Sequence, residues 1–490
     1  MVVVWIKRDL RLSDNEPLCL AIATQKPILL LYAFEPLWTE NEHYGQKHID
    51  FIKQSLVELQ RRLNPFNTKI LVVERAVIDV LKELQFEFGI STLYSYQESG
   101  MLMTYQRDIA IKNWCDKNGV VWKECVQNGV IRGIKHRKNW KDQWVNFVNA
   151  PVQEPDLSNA SFFSTKVIDE ISSKLGSNVD LSTPKNKGLQ HGGPWHAKRY
   201  LTSFFEYRIR GYNRHYSNPM RSRLHSSRLS PYIAWGNLSV REVVHYALKQ
   251  KKTANKKTLN AFLSRLRWQA HFIQKFESEG QMEFKSINSG YHSMEKVIRP
   301  SLQSAWKKGG TGVPMVDAAM RCLVATGFVN FRLRALLASF FTHLLWQPSQ
   351  DCSAHLARHF LDFDPGIHFS QLNMQSGETG INTIRIYNPI KNGKEHDPKG
   401  IFIKKWVPEL RKVPLAYIHE PWKMPLMEAQ FINFTIGIDY PKPIVDLEAA
   451  RKHASDTLYQ MKKNEKVQQE GQRIILRHTI PNRPVWDNQI

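Results

Sequence analysis

Cysteine is scarce in this chain of 490 residues: Cys19, Cys115, Cys125, Cys322 and Cys352 are the whole set, and no two form a C-x-x-C pair. That spacing excludes a zinc ribbon or a dithiol redox motif. A sparse, odd count points to free, buried thiols in a reducing compartment, so a cytoplasmic location is expected. The glycines never spell G-x-G-x-x-G, which removes the dinucleotide fingerprint. No apolar run reaches the length of a membrane span, and the opening MVVVWIKRDLRL sets charges behind a run too short for a secretory signal. Acidic residues are also in deficit, 45 against 68 Lys plus Arg, for a formal net charge of +23. An excess of that size implies a polyanionic partner, because clustered cations on phosphates are rewarded by counterion release.

What is present argues for two or three packed domains. Hydrophobic residues make up 42% of the chain and aromatics 11%, which is too apolar for a disordered protein. Through residue 130, short apolar runs (Val2–Ile6, Ile28–Phe34, Ile70–Val73, Thr92–Tyr96, Val120–Trp122) alternate with amphipathic stretches such as His48–Leu63 and Val77–Phe88. Alternation of this kind predicts an α/β domain with a doubly wound parallel sheet. Its ligand would sit at the carboxyl ends of the strands, near Lys7–Asp14. Residues 131–195 are rich in Pro, Ser, Asn and Gly and read as an interdomain connection. From 196 to 490 apolar spacings of three and four predict a larger, all-α domain, including Trp195–Gly211, Ser239–Gln250, Thr258–Phe276, Met315–Thr326 and Arg332–Leu345. The lysine-rich stretch 249–258 reads as a solvated loop or helix end.

Five segments carry more specific information: WIKRDLRLSDN (5–15), SSRLSPYIAWGNLS (226–239), GTGVPMVDAAMRCLVATGFVNFRLRALLASF (310–340), DFDPG (362–366) and IRIYNPIKNGKEHDPKGIFIKKWVPEL (384–410). Taken in this order they resemble the photolyase/cryptochrome family, and the likeness spans nearly the whole chain. The resemblance implies FAD in the helical domain, beside a basic DNA-binding face. It assigns the FAD pyrophosphate to Ser226, Ser227 and Ser230, with Arg228 and Leu229 completing the loop. Hydroxyls at a helix entrance suit that role, since free backbone N–H groups there favour an anion; a plain serine cap before a proline is the alternative. Tyr212 resembles the family's tyrosine near the phosphates, with Tyr216 as a competitor. Arg334 and Asp362 match the ion pair beside the flavin N5, where a fixed guanidinium would stabilise negative charge on a reduced ring; an ordinary structural ion pair is the alternative. Asp362, Phe363 and Asp364 form the acidic turn against the isoalloxazine. His368 stands where many relatives carry an asparagine near N5, a change that would shift the favoured redox state. His355 and His359, in HLARHF, mimic the HxxxH string of (6-4) photolyases but fall too late in the chain, so structural roles are expected.

The lesion pocket departs from the family pattern. Phe331 replaces the Asn or His before R-L-R, Arg265 stands at the dimer-binding Glu, and Met374 replaces the second pocket tryptophan, whereas Trp268 is retained as a stacking surface or a core residue. The tryptophan chain that reduces the flavin is also disturbed: Leu372 and Ser349 occupy its places, with Trp346, Tyr387 and Trp406 as candidate substitutes. Only Cys322 and Cys352 fall in the helical half, so no iron–sulfur cluster is expected, since one needs four thiolates. The resemblance implies a monomeric photolyase acting on UV-damaged double- or single-stranded DNA, cytoplasmic or nucleoid-associated. The alternatives are a cryptochrome-like photoreceptor without repair activity, or a nucleic-acid-binding protein with a decayed flavin site. The resemblance also admits a second antenna chromophore, a folate, a deazaflavin or a flavin.

Overall fold

The computed structural model describes residues 1–184, 186, 188–250 and 255–479; residues 251–254 of the lysine-rich stretch lie outside them. Five parallel strands, β1 (Val2–Ile6), β2 (Ile28–Ala33), β3 (Ile70–Val73), β4 (Thr92–Tyr96) and β5 (Val121–Cys125), form one sheet in the order β3-β2-β1-β4-β5. β1 and β2 are buried along their whole length, as strands covered on both faces must be. Side chains alternate between the two covers. Val2, Val4 and Ile6 join the core that includes Leu56 and Leu59, and Val3 and Trp5 join the one with Leu81, Ile111 and Ile171. β5 runs past its expected end at Trp122 through Lys123 and Glu124. It is the edge strand, where polar side chains facing water cost little.

The segment expected to be a connection is largely folded. Residues 131–195 hold the helices Trp140–Asn149 and Thr165–Lys174, and Phe162 bridges to Ile28 beside β2. Trp140, Trp144 and Val148, spaced by four, bury one helix face. The turn-forming residues mark the joints of this segment and not its whole character.

Helices dominate from Pro194 onward. The helices Lys256–Ser278 and Pro365–Gln375 approach so closely that a Cβ on Gly366 would lie 2.7 Å from Ile273 Cα. Phe276 stacks on Phe369 at 5.4 Å, and Ser370 Oγ donates to Phe272 O at 3.1 Å. A second core gathers Trp306, Val316, Leu337 and Phe341. Among the described residues no single helix is long and apolar enough to cross a membrane.

The loop leaving β1 is not an open ligand crevice. Arg8 Nε donates to Ala234 O at 3.1 Å and its Nη2 to Phe363 O, while Arg11 reaches Gly236 O at 3.2 Å. Asn237 Nδ2 donates to Leu10 O at 2.9 Å, and Arg241 pairs with Asp14 at 2.6 Å. Gly236 has φ +74°, and a Cβ there would fall 2.2 Å from Arg8 O. Beyond the strand ends, Arg107 ties Glu35, Glu98 and Asp108 at 2.7–2.9 Å, and Lys7 adds Asp108 at 3.3 Å. Contact with the helical region and buried ion pairs thus fill most of the expected ligand position near Lys7–Asp14, leaving a small cavity beside Arg8 lined by Gln97, Glu98, Gln127 and Asp364.

Candidate functional site

Four elements converge on the candidate cofactor site: the loop 226–230, and the helices Lys256–Ser278, Phe331–Ser339 and Pro365–Gln375. Arg208 shapes the serine loop, donating from Nη1 to Ser226 O at 2.7 Å and Ser227 O at 3.2 Å. Ser226 Oγ is buried without a protein partner, an orphan that an oxygen-rich ligand would satisfy. Ser230 opens the short helix Ser230–Ala234, ahead of Pro231, and none of the loop's serines caps it. Ser230 is exposed and its hydroxyl donates to Asp362. Leu229, in contrast, is sealed in the core. Arg228, at φ +56°, turns away from the loop: its guanidinium grips Gln190 Oε1 at 2.6 and 2.9 Å and stacks on Phe328 at 3.8 Å.

Arg334 and Asp362 pair as the motif implies. One nitrogen, Nη2, spans both carboxylate oxygens at 2.9 and 3.0 Å, Nε donates to Val329 O, and the guanidinium lies 4.2 Å from the Phe360 ring centre. Burial alone would raise the Asp362 carboxyl, but the Arg334 charge and the hydrogen bonds from Arg334 and Ser230 hold it below its ordinary value. Asp364 caps the next helix, accepting from Ile367 N at 3.2 Å, and burial raises its carboxyl. Phe363 is buried against Tyr44 and His48, so it belongs to the core beneath the turn and not to its ligand face.

His368 turns toward the sheet side. Its Nε2 lies 3.1 Å from Ser353 Oγ, which is 3.3 Å from His43 Nε2. Burial drags His368 down to about 3, so the ring is neutral at physiological pH. Tyr212 packs on Phe204 and receives a hydrogen bond from Arg265; Tyr216 is half exposed. Arg265 is therefore engaged with Tyr212. Trp268 is 43% exposed and Phe331, the first residue of its helix, 54%. Met374 is half-buried on the Pro365–Gln375 helix. Trp346 lies against His453 and Lys296.

Hydrogen bonds thus join Ser230 and Arg334 to Asp362, and Arg265 to Tyr212, whereas Arg228, Leu229 and Phe363 are directed elsewhere. The orphaned Ser226 hydroxyl and the Arg334–Asp362 pair are groups that FAD could use. Sequence reasoning missed Arg208, Gln190, His43 and Ser353. Only Arg208 had a signal, its place in the basic run RIRGYNR; the others act across long stretches of chain.

Two family models match: the FAD binding domain of DNA photolyase over residues 262–460, and DNA photolyase over residues 2–143. Among curated relatives, a deoxyribodipyrimidine photo-lyase of Alkalihalophilus pseudofirmus is 27% identical over 92% of this chain and 96% of its own length. A cryptochrome DASH of Synechocystis is 26% identical over 92% and 97%. A bacterial class III photolyase from Agrobacterium tumefaciens shares the fold with a TM-score of 0.80, at 22% identity over 94% of this chain and 98% of its own. An archaeal photolyase from Sulfolobus tokodaii, solved with two FAD molecules, does so at 0.75 and 23% over 94% and 99%. With both models matched in order and an FAD-binding domain in its helical half, the chain belongs to the photolyase/cryptochrome family.

Proposed function

We propose that the protein is a blue-light-driven DNA-repair flavoprotein acting on UV-induced pyrimidine photoproducts. The observation that carries this reading is Trp268, left 43% exposed on a helix whose neighbouring Arg265 and Arg267 are also exposed. A half-exposed indole backed by Phe272, on a helix that also presents Arg267 to solvent, suits a base stacked out of the duplex and a backbone held by charge. The chemistry that FAD would supply there, when bound and reduced, is light-driven electron donation to the photoproduct. Ser226, Ser230 and Tyr212 would hold the FAD phosphates on a loop shaped by Arg208, and Arg334 with Asp362 would steady the charge of the ring. Phe331 and Met374 would give the lesion pocket an apolar rim, so its lesion preference differs from that of the standard cyclobutane enzyme.

A cryptochrome-like photoreceptor is the second reading. It is favoured by one observation: Arg265, in place of the dimer-binding carboxylate, is engaged with Tyr212. A monomer in the cytoplasm, nucleoid-associated in a bacterium, accords with either reading. The second-chromophore question belongs here too, the Sulfolobus structure with two FAD molecules being the precedent.

The test is to purify the protein, record its visible spectrum and illuminate it with DNA carrying a cyclobutane or a (6-4) lesion. Restoration of either lesion is expected. A flavin-loaded protein that restores neither refutes repair and leaves the photoreceptor; a colourless protein, even after reconstitution with FAD, refutes both. Asp362→Asn should lose FAD retention at least tenfold, and unchanged retention would remove Asp362 from the site.

A further inference from the structure

The helix Lys256–Ser278 carries Trp268, His271 and Lys275 on one stripe, with Glu279 at its C-cap. Arg137, on the loop before the Trp140–Asn149 helix, enters against this stripe. Its Nη2 donates to His271 O at 3.2 Å, and its guanidinium lies 4.7 Å from the Trp140 ring centre. Arg137 is 1% exposed, yet its Nε and Nη1 find no acceptor in the protein, and neither does the indole Nε1 of Trp140. Lys275 is buried beside it and feels Arg137 and Arg473 as repelling charges and Glu279 as the attracting one. From the helix Glu465–His478, Arg473, Arg477 and His478 converge on a single oxygen, Glu279 Oε1, at 2.7, 3.1 and 3.0 Å. Glu470 adds one contact to Arg473 at 3.1 Å.

The charge of this cluster is one-sided at its buried end. Arg473 and Arg477 are partly exposed and paired with Glu279 and Glu470, whereas of the buried cations Lys275 has Glu279 near it and Arg137 has no carboxylate among the described residues. Burial lowers Arg137 to about 9 and Lys275 to about 8, so both remain charged at neutral pH. Buried cations without counter-charge are strongly unfavourable, and a fold normally pairs them. The unpartnered groups on Arg137 and Trp140 are donors, guanidinium and indole N–H; His478 Nδ1, left without a partner as Nε2 donates to Glu279, is the one unpartnered acceptor among them. Donors pointing from several directions call for a ligand with several lone pairs and negative charge.

We propose that Arg137, Trp140 and Lys275, backed by Arg473 and Glu279, form a binding site for a phosphate-class oxyanion that clasps the 131–139 loop and the Glu465–His478 helix onto the Lys256–Ser278 helix. The anion has two sources with the same chemistry, free phosphate or a nucleic-acid backbone phosphate reaching in past the exposed Lys135, His136 and Lys138. The site is independent of the flavin reading, since none of its residues is a candidate cofactor residue.

The experiment uses the full chain as purified with its flavin, comparing wild type with Arg137→Met and Lys275→Gln. Thermal midpoints are measured with inorganic phosphate and with chloride at matched ionic strength, and flavin absorbance is followed alongside. Phosphate should raise the wild-type midpoint by several degrees, and the half-saturating concentration should rise at least tenfold in both variants. In chloride the variants should be as stable as wild type or more so, because an unpaired buried cation has been removed. A short undamaged oligonucleotide forms the second arm. An equal shift abolished by the same substitutions identifies the backbone source, and a shift from phosphate alone identifies the free anion. A midpoint that does not distinguish phosphate from chloride overturns the proposal. So does a variant that loses stability equally in both salts, which would make these cations purely structural.

Discussion

Two buried histidines should make this fold acid-labile well above the carboxylate range. His48 donates from Nε2 to Phe360 O at 2.8 Å and accepts at Nδ1 from Gly45 N at 3.2 Å. His343 donates from Nε2 to Ser376 O at 3.0 Å and accepts at Nδ1 from the Ser339 hydroxyl at 2.8 Å, that hydroxyl being oriented by Tyr387 N at 3.0 Å. Each ring therefore has one donor and one acceptor nitrogen fixed by its neighbours. A second proton would press against a donor already aimed at Nδ1. Both residues are at most 1% exposed, and burial lowers each from 6.5 to about 4. Between those values the unfolded chain binds protons that the folded protein refuses, so stability is full above pH 6.5 and falls as pH falls. At pH 5 each histidine should cost about 2 kcal/mol, and the pair about 4 kcal/mol, since one unit is worth ~1.4 kcal/mol. Urea unfolding at pH 7.5 and pH 5.0 measures the difference. His48→Gln and His343→Gln should each lower stability at pH 7.5 but shrink the pH difference by about 2 kcal/mol. A pH difference of wild-type size in both variants would refute the reasoning.

Three further outcomes follow from the geometry. Gly236→Ala forces a non-glycine residue to φ +74° and a methyl into Arg8 O; the loss should reach about 3 kcal/mol or more, read as insolubility or a collapsed urea midpoint. Trp268→Ala should weaken binding of single-stranded or lesion-bearing DNA by about 1–3 kcal/mol in a fluorescence titration, with circular dichroism and flavin content unchanged. Ser226→Ala should leave the fold intact and release FAD several-fold more readily on dilution, followed by flavin fluorescence; equal retention would show that its orphaned hydroxyl serves no cofactor.

The sheet was legible because β1 and β2 are apolar throughout, and a two-face-buried strand has no other composition available. The edge strand was shortened because Lys123 and Glu124 carry no apolar signal. Residues 131–195 were misread for a similar reason: Pro, Asn and Gly dominate their composition, whereas three side chains, Trp140, Trp144 and Val148, determine their packing. In the site, the pairing of Arg334 with Asp362 was readable from the motifs that hold them. The direction of Arg228 was not, because it depends on Gln190 and Phe328 and on a left-handed backbone that local sequence does not specify. The inward turn of Phe363 likewise depends on Tyr44 and His48, distant residues that no motif links to it.

The clasp around Arg8 has a consequence for how the protein is made. Its two carbonyl partners, on Ala234 and Phe363, lie 226 and 355 positions further along the chain. Asp14 waits 227 positions for Arg241. The sheet therefore emerges during synthesis with the loop after its first strand charged and without most of its partners. Closing such long loops is slow compared with local helix formation. The α/β part reaches its final form only after most of the helical part has been translated, and a fragment ending before residue 234 should stay open at the carboxyl end of β1.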